Sequence, residues 1–228
     1  MFRRIRLIGT ALLGYLAQAA PLPQQIVQPG APGQPAKMVS AAVASSALPP
    51  PAKADIEFMQ AMIVHHSQAV EMVDLLRTRG SSKALQTLGQ RITISQADEI
   101  EGMKQWLRER GQSIEMSPMM HHHTPGMDMS KMASGDVAVM PGMLSSNQMK
   151  ALARASGRTF DTLFLTGMIQ HHTGALDMVA DLLAIPGAGQ DNVLFDFLTD
   201  IDNTQSAEIK IMQTMLSKTA PPKNKDKK

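Results

Sequence analysis

One segment that occurs twice constrains this chain more than any other feature. Residues 58–76 read FMQAMIVHHSQAVEMVDLL and residues 164–182 read FLTGMIQHHTGALDMVADL, at a constant offset of 106. The copies share Phe58/Phe164, Met62/Met168, Ile63/Ile169, His65/His171, His66/His172, Ala69/Ala175, Met72/Met178 and Val73/Val179, and Asp55 precedes the first as Asp161 precedes the second. A repeat of this kind means that one structural unit is used twice, with methionine and histidine at equivalent places.

The unit is helical. Apolar residues recur at helical spacing from Asp55 to about Arg79, with Asp55 as the expected N-cap and Gly80 as the stop. A second helix is expected from about Ser82 to Arg110, ending at Gly111. The same order returns in the second half: a short helix near Asn147–Ala155, a long one from about Thr159 to Ala184, and a last one from about Gln190 to Ser217. The repeat extends into the second helix of each pair, where Gln96, Glu99 and Met103 match Gln205, Glu208 and Met212 at an offset of 109. Each repeat is thus a helical hairpin. Two hairpins (54–110 and 147–217) predict an all-α four-helix bundle over 54–217, joined by a long crossover at 111–146.

Both ends lie outside this unit. Arg3, Arg4 and Arg6, an apolar run from Leu7 to Leu16, and Ala17-Gln18-Ala19 form a bacterial-type signal peptide over 1–19, with an uncleaved anchor as the alternative. Residues 20–53 are rich in Pro, Ala, Gln and Ser, and are expected to be a linker without a fold. Residues 218–228 form a basic tail expected to be disordered. Removing the signal takes away three arginines and leaves a nearly neutral chain, so the formal charge of +2 is no electrostatic footprint. With one Trp, one Tyr and no basic stripe, nucleic acid is not an expected partner, and neither is a membrane after signal cleavage.

The chain has 19 methionines and no cysteine. Exported proteins meet an oxidising compartment, where thiols are diverted into disulfides. Thioethers avoid that and remain soft ligands, although methionine also serves as an adaptable core filler. At about 100° per residue, His65 and His66 diverge, so one is expected to face the bundle axis and the other a flank. Met62 lies one turn before the pair, which suggests a Met–His unit completed from a neighbouring helix; Met72 lies two turns on and would join a partner helix. Met168, His171, His172 and Met178 repeat this, and Met103 and Met212 enter from the second helices. Glu99 and Glu208 are placed either to orient an imidazole or to make ordinary interhelical hydrogen bonds. Asp55 and Asp161 need be no more than caps.

The crossover breaks helical periodicity yet carries Met116, Met119, Met120, His121, His122, His123, Met127, Met129 and Met132, with Met140 and Met143 beyond. Thioethers that cannot pack as an amphipathic element, set beside three imidazoles, suit Cu(I), with silver as a second soft ion; the histidines leave Cu(II) open. A closed zinc set is absent, and no Glu-x-x-His supports a carboxylate-bridged di-iron centre.

Asp-x-x-Phe-x-x-x-Met-Ile-x-His-His-x-x-Ala-x-x-Met, present twice and followed each time by Gln-x-x-Glu-Ile-x-x-Met, resembles the domain-of-unknown-function 305 family over residues 54–110 and 147–217. The resemblance implies a ferritin-like four-helix fold and, from some members, an exported copper-binding protein acting in copper resistance. It marks Met62, His65, His66, Met72, Met168, His171, His172 and Met178 as its site residues. The expected function is a periplasmic, non-enzymatic copper or silver binder that sequesters the ion or passes it between a donor and an acceptor protein. The alternatives are a metal-dependent oxidoreductase or hydrolase on the same bundle, and an interaction module using the Met-rich loop.

Overall fold

The computed structural model describes residues 25–28, 37–40, 50–116 and 138–219. It divides into two units, Met1–Leu48 and Pro49–Lys228. In the first, β1 (Gln25–Gln28) pairs antiparallel with β2 (Lys37–Ser40), Ile26 opposite Val39 and Val27 opposite Met38. The reading of 20–53 as a linker without fold is corrected there. Two short apolar pairs, Ile26-Val27 and Met38-Val39, each flanked by polar residues, form a ladder that the surrounding Pro and Ala obscure in composition.

In the second unit α1 (Lys53–Arg79) and α2 (Lys83–Glu109) form one hairpin, and α4 (Gly157–Leu183) and α5 (Asn192–Thr219) the other. The short α3 (Ser146–Arg154) precedes the second hairpin. It starts with a capping box, in which Ser145 Oγ accepts the Gln148 N–H while Gln148 Oε1 accepts the Ser145 N–H. The α2 N-terminus is capped by Ser82, whose hydroxyl accepts the Leu85 N–H.

The all-α, ferritin-like four-helix bundle expected from the repeat is the fold observed. Its core is cut in two. One apolar cluster takes Phe58, Met59, Met62 and Ile63 of α1, Met103, Trp106 and Leu107 of α2, Ala175, Val179 and Leu182 of α4, and Leu194, Leu198 and Ile201 of α5. The other takes Ala69 to Leu76 of α1, Leu85 to Ile92 of α2, Phe160 to Met168 of α4, and Met212 of α5. Every long helix therefore passes from one cluster to the other, α1 and α5 in one direction, α2 and α4 in the opposite one. The residues between the clusters are polar: His65, His66, Gln96, His171, His172, Gln205 and Glu208 are buried there. Cutting an apolar core with a polar layer costs free energy unless each buried group finds a partner.

The hairpins clasp one another at both ends. Asp55 is not the N-cap of α1; that position is Ala52, and Asp55 sits a turn inside the helix. Its carboxylate accepts the N–H of Ala52 at 3.3 Å and that of Gly189, in the α4–α5 turn, at 2.8 Å. Asp161 likewise lies within α4 and accepts from the N–H and hydroxyl of Ser81, in the α1–α2 turn, at 3.0 and 2.6 Å. Each hairpin's first helix thus holds the other hairpin's turn. Among the described residues no helix is long and apolar enough to cross a membrane.

Candidate metal centre

All four histidines of the repeat are fully buried, 0% exposed. The expectation that one of each pair faces a flank is corrected: both members point inward, to different neighbours. His66 Nε2 lies 2.6 Å from Glu99 Oε2 of α2, and His172 Nε2 lies 2.8 Å from Glu208 Oε2 of α5. Glu99 is held in turn by the Ser95 hydroxyl at 2.8 Å. His65 and His171 meet between the hairpins with ring centroids 3.9 Å apart and planes inclined at 42°. His171 Nε2 donates to the backbone carbonyl of His65 at 2.9 Å, and His65 Nε2 donates to that of Pro141 at 2.9 Å.

These partners fix the tautomers. A carbonyl oxygen only accepts, so Nε2 of His65 and of His171 must carry the proton. The carboxylates of Glu99 and Glu208 impose the same choice on His66 and His172. In a neutral imidazole the other nitrogen then presents a bare lone pair. Nδ1 of His65, His66, His171 and His172 is buried without a hydrogen-bond partner in all four rings. His65 and His171, whose Nε2–H groups are held by carbonyls, thus present two buried lone pairs in one layer, which matches the way protein imidazoles are prepared for a metal ion. Burial first, then the positive charge that neighbouring imidazoles would carry, pushes His65 down to about 3 and His171 well below the usual histidine value. Both rings are neutral at physiological pH and able to ligate.

The methionines border this layer. Met62 and Met103 belong to the apolar cluster on one side, Met72, Met168 and Met212 to the cluster on the other, and all five are 0% exposed. The Met72 methyl lies against Gly167 of α4, as expected of a residue that reaches a partner helix. Met178 is partly buried and packs on the first cluster. Met116 is partly buried at the edge of the described segment. Met119, Met120, His121, His122, His123, Met127, Met129 and Met132 lie outside the described residues. Among the described residues no three His, Asp or Glu side chains converge as a closed ligand set. Among the described residues the layer thus offers no full oxygen–nitrogen shell of the kind hard cations demand. A surface groove of about 480 Å³ between α1 and α2, lined by Val73, Arg77, Gln90, Thr93 and Ile94 among others, includes none of the histidines.

Several participants escape a reading of side-chain types. The Pro141 acceptor is a backbone carbonyl and leaves no mark in composition. Gln96 and Gln205 stand out in the repeat, but their state does not: Gln96 Oε1 and both polar atoms of the Gln205 amide are buried without partners.

The family described as "Domain of unknown function (DUF305)" matches residues 55–216. The fold is similar to that of a DUF305 protein from Streptomyces coelicolor, described as secreted: 26% identity over 73% of this chain and 93% of that one, with a TM-score of 0.59. A DUF305 fragment from Deinococcus radiodurans is similar at 26% identity over 75% and 99% of the two chains, with a TM-score of 0.60. CopM in its Cu(II)-bound form is similar at 26% identity over 73% and 97%, with a TM-score of 0.54, and CopM has also been solved with silver and with Cu(I) bound. No curated protein matches.

Proposed function

The chain belongs to the DUF305 family, and we propose that it is an exported protein that binds copper, chiefly Cu(I), or silver, and sequesters the ion or hands it on. One observation carries this reading: four buried imidazoles share one arrangement, with every Nε2 against an oxygen acceptor and every Nδ1 without a hydrogen-bond partner. Packing alone gives no reason to bury four unpartnered ring nitrogens, each costing about 1–3 kcal/mol. An ion that accepts nitrogen lone pairs removes that cost.

Methionine on both sides of the layer favours the soft, monovalent state, because thioethers need no deprotonation and exchange readily. The similarity to CopM, solved with silver and copper, supports the same choice of ion. Met116 and the Met/His run of 119–132 add soft ligands by composition. Export rests on the signal-like residues 1–19 and on the relative described as secreted. A binding role is favoured over catalysis because Glu99 and Glu208, the carboxylates of the layer, are already committed to His66 and His172.

Competition titration of the mature protein with Cu(I) against a chromophoric chelator tests the reading. Replacing His65, His66, His171 and His172 together by Gln should abolish the tightest binding while circular dichroism stays helical. Retention of full affinity by that variant would contradict the proposal.

A further inference from the structure

The two copies of the repeat are not equivalent at the histidines. His171 Nε2 donates to the carbonyl of His65, 106 residues before it. An equal partner for His65 would be the carbonyl of His171, yet His65 donates to Pro141, in the last stretch of the crossover.

The positions where the copies differ explain why. Gly174 of α4 stands where α1 has Gln68, Gln170 where α1 has Val64, and Gly167 where α1 has Ala61. All three meet residues 141–144. A Cβ on Gly174 would fall 2.2 Å from the Pro141 carbonyl oxygen and 2.4 Å from Gly142 Cα, so only glycine lets the two backbones touch. Gly142, at φ +73°, is in the left-handed region and would itself meet Gly174 Cα at 2.5 Å if it carried a side chain. Gln170 Nε2 donates to the carbonyls of Gly142 and Met143 at 3.3 and 3.1 Å. Gly167 leaves room for the Leu144 side chain. On the other side, the Gln68 amide both accepts from the Leu144 N–H at 2.7 Å and donates to the Leu144 carbonyl at 3.0 Å.

We propose that Pro141–Leu144 is a positioning element for His65, so that the two halves of the histidine layer bind an ion unequally. The His65/His66 half depends on the docked crossover, whereas the His171/His172 half is oriented by the backbone of α1. Gly174, Gln68 and Gln170 act through Pro141; they position the ring and are not themselves ligands. The asymmetry deepens the copper-binding reading and rests on it for its consequence, but the ring geometry stands without any metal.

Two measurements separate these. In the metal-free protein, ¹⁵N spectra of the histidine side chains report which nitrogen carries the proton. Gly174→Ala, which drives a Cβ into the Pro141 carbonyl, should change the His65 ring signals and leave those of His171 in place. Gln68→Ala/Gln170→Ala loosens the same dock without a steric clash and should act in the same direction, which covers the case of a misfolded glycine variant. Cu(I) titration of either variant should show one class of site weakened about tenfold or more, the size expected for a lost ligand-orienting partner, and another unchanged. Unaltered His65 signals in both variants, or His65 and His171 responding alike, would overturn the proposal. A selective His65 response in a protein that binds no Cu(I) would uphold the positioning and refute the copper reading instead.

Discussion

Asp55 accepts the backbone N–H of Gly189 at 2.8 Å, across 134 residues of chain. Asp161, its counterpart in the repeat, accepts that of Ser81 at 3.0 Å. The duplication therefore builds more than two similar hairpins, because the matching acid of each secures the turn of the other.

Removing either acid should loosen one end of the bundle. Asp55→Ala is expected to cost about 1–3 kcal/mol, since it leaves the buried Gly189 N–H unpaired, and Asp161→Ala about 0.5–1.5 kcal/mol, since the exposed Ser81 donors can turn to water. The two clasps sit at opposite ends of the helices, so the double variant should show nearly the sum. Urea denaturation followed by circular dichroism checks both expectations; a strongly non-additive pair would mean that the ends are coupled through the polar layer.

The methionines bordering that layer can be tested for packing and ligation separately. Met62→Leu and Met168→Leu conserve apolar volume and should change stability by less than about 1.5 kcal/mol. The corresponding alanine variants should lose about 2–5 kcal/mol by leaving cavities. Only the thioether ligates, so the leucine variants should bind Cu(I) more weakly at nearly unchanged stability. Unchanged Cu(I) affinity would assign Met62 and Met168 to packing alone.

Acid should unfold the metal-free protein through its buried imidazoles. His65 is held at about 3 and His171 also well below the unfolded value of about 6.5. Between those limits the unfolded chain binds more protons than the folded one, so stability falls as pH drops below about 6.5 and is complete above it. Each ring contributes a slope approaching about 1.4 kcal/mol per pH unit within that window. Denaturation midpoints between pH 7.5 and 4.5 should show this slope, and His171→Gln should reduce it.

Trp106 supplies a local probe, as the one tryptophan of the chain. Its Nε1–H donates to Asp191 at 3.1 Å, and the Arg110 guanidinium lies 4.2 Å from its ring centre while also pairing with Asp191. Burial pushes the Asp191 carboxyl up, but the hydrogen bonds from Arg110, Trp106 and the Leu194 N–H outweigh it, and the group titrates below its usual 3.8. Its stabilisation is thus present above about pH 4 and lost as pH falls below that. Asp191→Asn should redden Trp106 emission and lower the thermal midpoint at pH 7, with the difference from the parent protein shrinking as pH falls below about 4.

Much of this was legible in the residues. The 106-residue offset, the Gly and Pro breaks and the apolar spacing locate the hairpins, and Glu99 and Glu208 are marked by their place in both copies. The roles of Asp55 and Asp161 are not visible locally, since an acid near a helix start looks like a cap whether it holds its own helix or a distant turn. The β1–β2 pair escapes because Ile26-Val27 and Met38-Val39 are too short to stand out among Pro and Ala. The dock at Pro141 escapes for a different reason. Its signal lies in the mismatches Gln68/Gly174 and Val64/Gln170, whereas a repeat draws attention to its matches.

The central claim is that the ion sits in the buried layer on Nδ1 lone pairs. Anomalous diffraction at the copper edge from crystals of the Cu(I)-loaded protein tests it most directly. The account predicts density between α1 and α4, within bonding distance of Nδ1 of one or more of His65, His66, His171 and His172, with every Nε2 contact preserved. Copper found only on surface methionines, with the four Nδ1 atoms still bare, would contradict it.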